Sequence, residues 1–229
     1  MGTKLLKFVC AILILLPVCA FATDKTFTSS GSIVDGDVFG TVYVQNNGTL
    51  VNMSGGHIGT SSLGGLYMND SSIFNMSGGL IENTISTLGS SSFNLSDGTI
   101  ESEFDFGGTV SLSGGSITGG GKFKPGSIVN IDGGNLNFSD AVLLYGELNI
   151  YGGLLNFDDF SDNGGVTNIY GYGFNYDPVG QVLTGYLSDH NQFTINQLSS
   201  YEYQRLNLIP EPISFLFFGF GLLALRKQK

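Results

Sequence analysis

The chain is patterned by a short unit that recurs through its middle: an apolar residue, Asn, another apolar residue, a Gly-Gly pair, and a further apolar residue. Val51-Asn52-Met53-Ser54-Gly55-Gly56-His57-Ile58 is followed by Phe74-Asn75-Met76-Ser77-Gly78-Gly79-Leu80-Ile81. Equivalent units begin at Phe93, Val110, Val129, Leu148 and Thr167, with Ser111 standing for Asn in the fourth. From aligned Asn or Ser to the next, the steps are 23, 19, 17, 19, 19 and 19 residues, by subtraction of positions. Apolar-Asn-apolar reads as a short strand with two side chains on one face and Asn on the other. Gly-Gly allows positive φ and a sharp corner, after which a second strand starts along a new wall.

A period near nineteen is short for a propeller blade and holds no helical segment. It predicts an all-β fold, a single-stranded parallel β-helix (β-solenoid) of about seven to eight coils. At ~4.8 Å per coil the rod is roughly 35–40 Å long. Residues 23–174 form the repeats, opened by an atypical coil at 42–48, and the long first step places a corner loop at 59–65. Residues 175–208 lose the period but keep strand-like alternation at 181–187 and 192–196, predicting closing strands that cap the rod. The recurring Asn side chains are expected to stack as a hydrogen-bonded amide ladder along one wall.

Composition adds a constraint on partners. The chain has 35 Gly, no Trp, 9 Lys+Arg and 19 Asp+Glu, for a net charge of −10. Between the termini only Lys25, Lys122, Lys124 and Arg205 are basic. That acidic excess argues against nucleic acid, or an anionic polysaccharide, as an electrostatic partner.

The ends read differently from the body. Lys4 and Lys7, the apolar stretch from Leu5 to Cys19, and Ala20-Phe21-Ala22 form a three-part secretory signal over residues 1–22, with cleavage set by Ala20 and Ala22. Both cysteines, Cys10 and Cys19, fall inside it, so the mature chain has no disulfide and no thiolate chemistry. Residues 209–229 combine Pro210-Glu211-Pro212, an apolar run from Ile213 to Leu225 expected to be a terminal hydrophobic helix, and the basic stop Arg226, Lys227 and Lys229. The prolines break any helix running in from the body, and the terminal cations suit the cytoplasmic face of a membrane. The run is nearer thirteen residues than the roughly 20 that span a bilayer, so it reads as a transient address more than a permanent anchor.

The order of Pro-Glu-Pro, apolar run and basic cluster resembles the PEP-CTERM sorting signal. That resemblance covers about the last twenty residues, with a looser one in the Leu183-Thr184-Gly185-x-Leu187 stretch before them. It implies recognition, and cleavage, by an exosortase-type sorting protease in a Gram-negative bacterium that makes exopolysaccharide. The protein would pass through an inner-membrane intermediate to the cell surface or extracellular matrix.

Candidate chemistry in the body is sparse. Asp158, Asp159 and Asp162 form the densest acidic group, after the sixth unit. They are the first suspects if the rod carries a polysaccharide lyase or hydrolase, and a solvated or weakly calcium-binding loop otherwise. Glu101, Glu103 and Asp105 alternate with Ser102, Phe104 and Phe106, which puts the acids on one strand face, toward solvent. His57 and His190 have no metal-ligand neighbour at suitable spacing. Asn52, Asn75, Asn94 and Asn137 sit in Asn-x-Ser patterns, as composition alone would produce. No catalytic residue, metal ligand or cofactor is assigned. The expectation is an exported surface or matrix protein, structural or adhesive, whose partners are the sorting protease, exopolysaccharide and, transiently, the membrane. The exposed polar wall, with tyrosines such as Tyr151 and Tyr170, is the expected sugar contact. A carbohydrate-active enzyme is the alternative.

Overall fold

The structure, a computed structural model, describes residues 22–138, 142–157 and 160–211. It is a β-solenoid of about seven turns, built almost wholly from parallel strands stacked coil on coil. The terminal hydrophobic helix expected at 213–225 lies outside the described residues, as do Ala20, Pro212, Arg226, Lys227 and Lys229.

Each turn has three walls. The first carries β2 (Gly31–Ile33), the opening halves of β4 (Leu50–Ile58), β6 (Ile73–Thr87) and β7 (Ser92–Phe106), then β8 (Thr109–Leu112), β11 (Ile128–Ile131), β14 (Glu147–Ile150) and the start of β17 (Val166–Asp177). Along it the recurring unit stacks in register: Asn52 on Asn75, Asn75 on Asn94, Asn94 on Ser111, Ser111 on Asn130, and so on to Asn168. Past the Gly-Gly corner, the second wall continues through β9 (Ser116–Thr118), β12 (Asn135–Phe138) and β15 (Leu154–Phe157).

The third wall was not evident from the repeat. It holds β1 (Thr23–Phe27), most of β3 (Val38–Val44), β5 (Gly65–Met68), the closing ends of β6 and β7, and three-residue strands β10 (Gly121–Phe123), β13 (Val142–Leu144) and β16 (Phe160–Asp162). The loop expected at 59–65 lies between β4 and β5, at the corner joining second and third walls.

Alternate residues point inward and form continuous columns. On the first wall these are Val51, Phe74, Phe93, Val110, Val129 and Leu148, all fully buried. Middle coils fill the interior with phenylalanine: Phe104 stacks on Phe106 and Phe123 at 4.9 and 5.3 Å between ring centres, and Phe138 meets Phe157 at 4.8 Å. Offset aromatic pairs add about 0.5–1.5 kcal/mol each beyond the area they bury. That suits a fold with no disulfide among its described residues.

The Gly-Gly corners serve both conformation and proximity. Gly134 has φ +96°, and a Cβ there would sit 2.9 Å from the Gly114 carbonyl of the neighbouring coil. At Gly114 the space is tighter, with a Cβ 2.1 Å from Ser96 O. Coils meet closely at this edge only because neither position carries a side chain.

The closing region forms strands, as expected, but also returns to the rod. β18 (Val182–Leu187) folds back antiparallel on β17, and β19 (Gln192–Ile195) pairs antiparallel with β18 and parallel with β15, extending the second wall. A single helical turn, α1 (Ser200–Tyr203), is capped by Ser199 and Glu202 in a reciprocal capping box. β20 (Leu206–Pro210) then lies parallel on β17 as another first-wall strand, placing Asn207 on Asn168. Ile209 and Pro210, read as the start of the C-terminal segment, belong to this strand.

Candidate functional surfaces

The first wall presents its amides in one direction. Asn75 Nδ2 donates to Asn52 Oδ1 at 2.9 Å, and Asn94 Nδ2 to Asn75 Oδ1 at 2.8 Å. After Ser111 the series resumes: Asn149 donates to Asn130 at 3.1 Å, Asn168 to Asn149 at 2.7 Å, and Asn207 to Asn168 at 2.8 Å. In every pair the later coil donates to the earlier. The expected amide ladder is therefore present, in two runs. A shorter one on the second wall joins Asn156 Nδ2 to Asn137 Oδ1 at 3.1 Å. The side-chain nitrogens of Asn75 and Asn94 are engaged in the ladder, and the hydroxyls of Ser77 and Ser96 donate to the Met53 and Met76 carbonyls.

Shallow grooves among the described residues include two along the rod. One, of about 380 Å³, runs along the second wall over Thr118, Asn135, Asn137, Leu154, Asn156 and Gln192. The other, of about 490 Å³, lies at the corner of second and third walls and is lined by Glu82, Glu101 and Glu103 with Asn83, Ser102 and Thr118. Glu101 and Glu103 are exposed, as the alternation predicts, while Asp105 pairs with Lys124 Nζ at 3.1 Å. His57 Nε2 meets Glu82 Oε2 at 2.8 Å, and His190 Nδ1 lies 3.3 Å from the Tyr172 hydroxyl. Among the described residues, no three or more His, Cys, Asp or Glu side chains are arranged to hold a metal ion.

Asp162 points inward. It occupies the interior column above Leu144, its side chain 1% exposed. Oδ1 accepts from the backbone N–H of Gly164 (2.8 Å) and Gly165 (3.0 Å), and Oδ2 lies 3.0 Å from Arg205 Nε. This last is a charge contact without hydrogen-bond alignment, since Oδ2 accepts no directed hydrogen bond. As placed, the carboxylate closes a turn and the end of the core. Asp158 and Asp159 lie outside the described residues.

The two tyrosines expected at a sugar contact lie on adjacent coils of the first wall. Tyr151 and Tyr170 stack on each other at 4.2 Å and 17°. Ile209 is the register partner of Tyr170 on the next strand, and both rings are half-buried. The Tyr151 hydroxyl titrates above the ordinary tyrosine range, chiefly through its hydrogen bond with Tyr170. Lost solvation and the charges of Tyr170, Asp132 and Glu147 push the same way.

Pro210 ends β20, and Glu211 is tied to the body. Its N–H donates to Gly171 O at 3.0 Å, and its carboxylate accepts from the Ser188 hydroxyl. Among the described residues, no helix is long and apolar enough to cross a membrane.

No family model matches the chain, and neither a curated protein nor a solved structure matches it.

Proposed function

We propose that this is an exported surface or matrix protein that binds extracellular polysaccharide through the flat polar walls of its rod, and that residues 1–22 and 209–229 are its export and sorting signals. The amide ladder carries this reading. It holds oriented donors and acceptors at a regular repeat on a rigid surface, so little conformational entropy is lost when a repetitive polar chain lies along it. The acidic balance favours a neutral glycan over an anionic one. The Pro-Glu-Pro order with its apolar run and basic end supports sorting by an exosortase-type protease.

Co-sedimentation of the purified protein with exopolysaccharide tests the binding role, with retention and no new sugar ends expected. Release of reducing or unsaturated ends that Asp159→Ala abolishes would overturn it in favour of an enzyme. Mass spectrometry of the secreted protein tests sorting: the C-terminus is expected to lack Arg226–Lys229.

A further inference from the structure

The first-wall ladder has one missing rung. Ser111 stands between Asn94 and Asn130, in register with both. Asn94 directs Nδ2 to Asn75, so its Oδ1 faces the Ser111 coil. Asn130 accepts from Asn149 through Oδ1, so its Nδ2 faces the same coil from the other side. Among the described residues neither of these atoms, nor the Ser111 hydroxyl, has a hydrogen-bond partner. Serine carries a hydroxyl where asparagine carries a carboxamide, so the Ser111 side chain stops one atom short of the ladder's line of donors and acceptors. What the gap lacks is therefore one planar amide, with an acceptor bordering it on one side and a donor on the other.

We infer that the Ser111 gap binds the acetamido group of an N-acetylated sugar, an inference that rests on the wall's proposed role as a glycan contact. A trans secondary amide carries its C=O and N–H on opposite edges. Seated over Ser111, just outside its hydroxyl, its C=O accepts from Asn130 Nδ2 and its N–H donates to Asn94 Oδ1, carrying the direction of the ladder across the gap. A sugar bearing only hydroxyls has no group with donor and acceptor fixed in opposite directions. A carboxylated sugar sets acceptor against acceptor at Asn94. Thr109, exposed on the same face of β8, offers a hydroxyl to the rest of the ring, and Ser113 just past the strand offers a hydroxyl oxygen whose proton is engaged by Leu95 O. An open site with two hydrogen bonds gives a dissociation constant on the order of tens of millimolar.

The test is an NMR titration of the asparagine side-chain amides with N,N′-diacetylchitobiose, and with cellobiose as the hydroxyl-only control. Shifts centred on Asn94 and Asn130 with the acetylated disaccharide alone are expected. Ser111→Asn, which fills the rung with the protein's own amide, should weaken binding at least about tenfold without lowering the melting temperature. Asn130→Asp, which removes the donor and keeps the size, gives an independent second variant expected to do the same. Equal response to cellobiose, an equal response to N-acetylglycinamide as a peptide-like amide, or binding undiminished in both variants would overturn the assignment. Exopolysaccharide co-sedimentation that survives Ser111→Asn would refute this site while leaving the wall's wider role standing.

Discussion

At the scale of single residues, the interior polar groups show most clearly how the rod ends. Asp162 interrupts an apolar column that reaches it through Phe123 and Leu144. Arg205 and two backbone N–H groups make its burial tolerable. Removing one partner of a buried pair costs about 3–5 kcal/mol, whereas replacing both with apolar groups is often neutral. Arg205 is about one-third exposed, and Gly164 and Gly165 still serve the carboxylate. Arg205→Met should therefore lower unfolding stability by only about 2 kcal/mol, with Asp162→Leu/Arg205→Met recovering most of it in urea denaturation. Tyr151 makes a pH prediction. Its pKa is raised in the fold, so its contribution to stability is complete below the ordinary tyrosine value of about 10 and is lost as pH rises through the higher folded value. Melting temperatures measured across that alkaline window should fall for the wild type, and fall less for Tyr151→Phe.

Among the elements, what could be read in advance depended on strand length. The first and second walls announce themselves through Asn and Gly-Gly at fixed spacing, and the ladder follows from that spacing alone. The third wall does not, because strands such as Gly121–Phe123 have one apolar inward residue and no room to show alternation. Asp162 was misleading for the same reason: in a strand this short, only stacking on Leu144 reveals which way it points. Ser111 was visible as a substitution within the repeat, but its unpaired neighbours emerge only from the direction of the ladder. The stacked phenylalanines tie short and long walls together. Phe104 touches Phe106, Phe123 and Phe138, so Phe104→Ala should cost about 3–5 kcal/mol, measured by chemical denaturation.

Over the whole molecule, the coils interact mainly with their neighbours, so local losses spread along the rod only through adjacent turns. β19 and β20 are exceptions in sequence, since Asn156 faces Thr194 across 38 residues and Asn207 joins Asn168 across 39. A chain truncated after Arg205 should melt lower than the full protein and lose hydrogen-exchange protection along Thr167–Gly171, because that strand becomes an open edge. The hidden place of β20 in the first wall has a simple cause. The hairpin and helical turn inserted after β17 double the step, and a period of nineteen no longer finds the next Asn.

That doubled step also sets an order of assembly. Loop-closure entropy grows slowly, by about 0.6 kcal/mol per doubling of length, so the long detour adds little thermodynamic cost. In time, however, the last rung cannot form until the chain has been made through Pro210. Every earlier rung closes on a segment one turn behind it. This one closes across the whole capping region. The first wall thus ends at Pro210 and Glu211: a molecule cut short before Asn207 leaves Asn168 without its final donor and Gly171 without its partner. Where Glu211 is seated, Gly171 and Ser188 from the two sides of the hairpin have already come together.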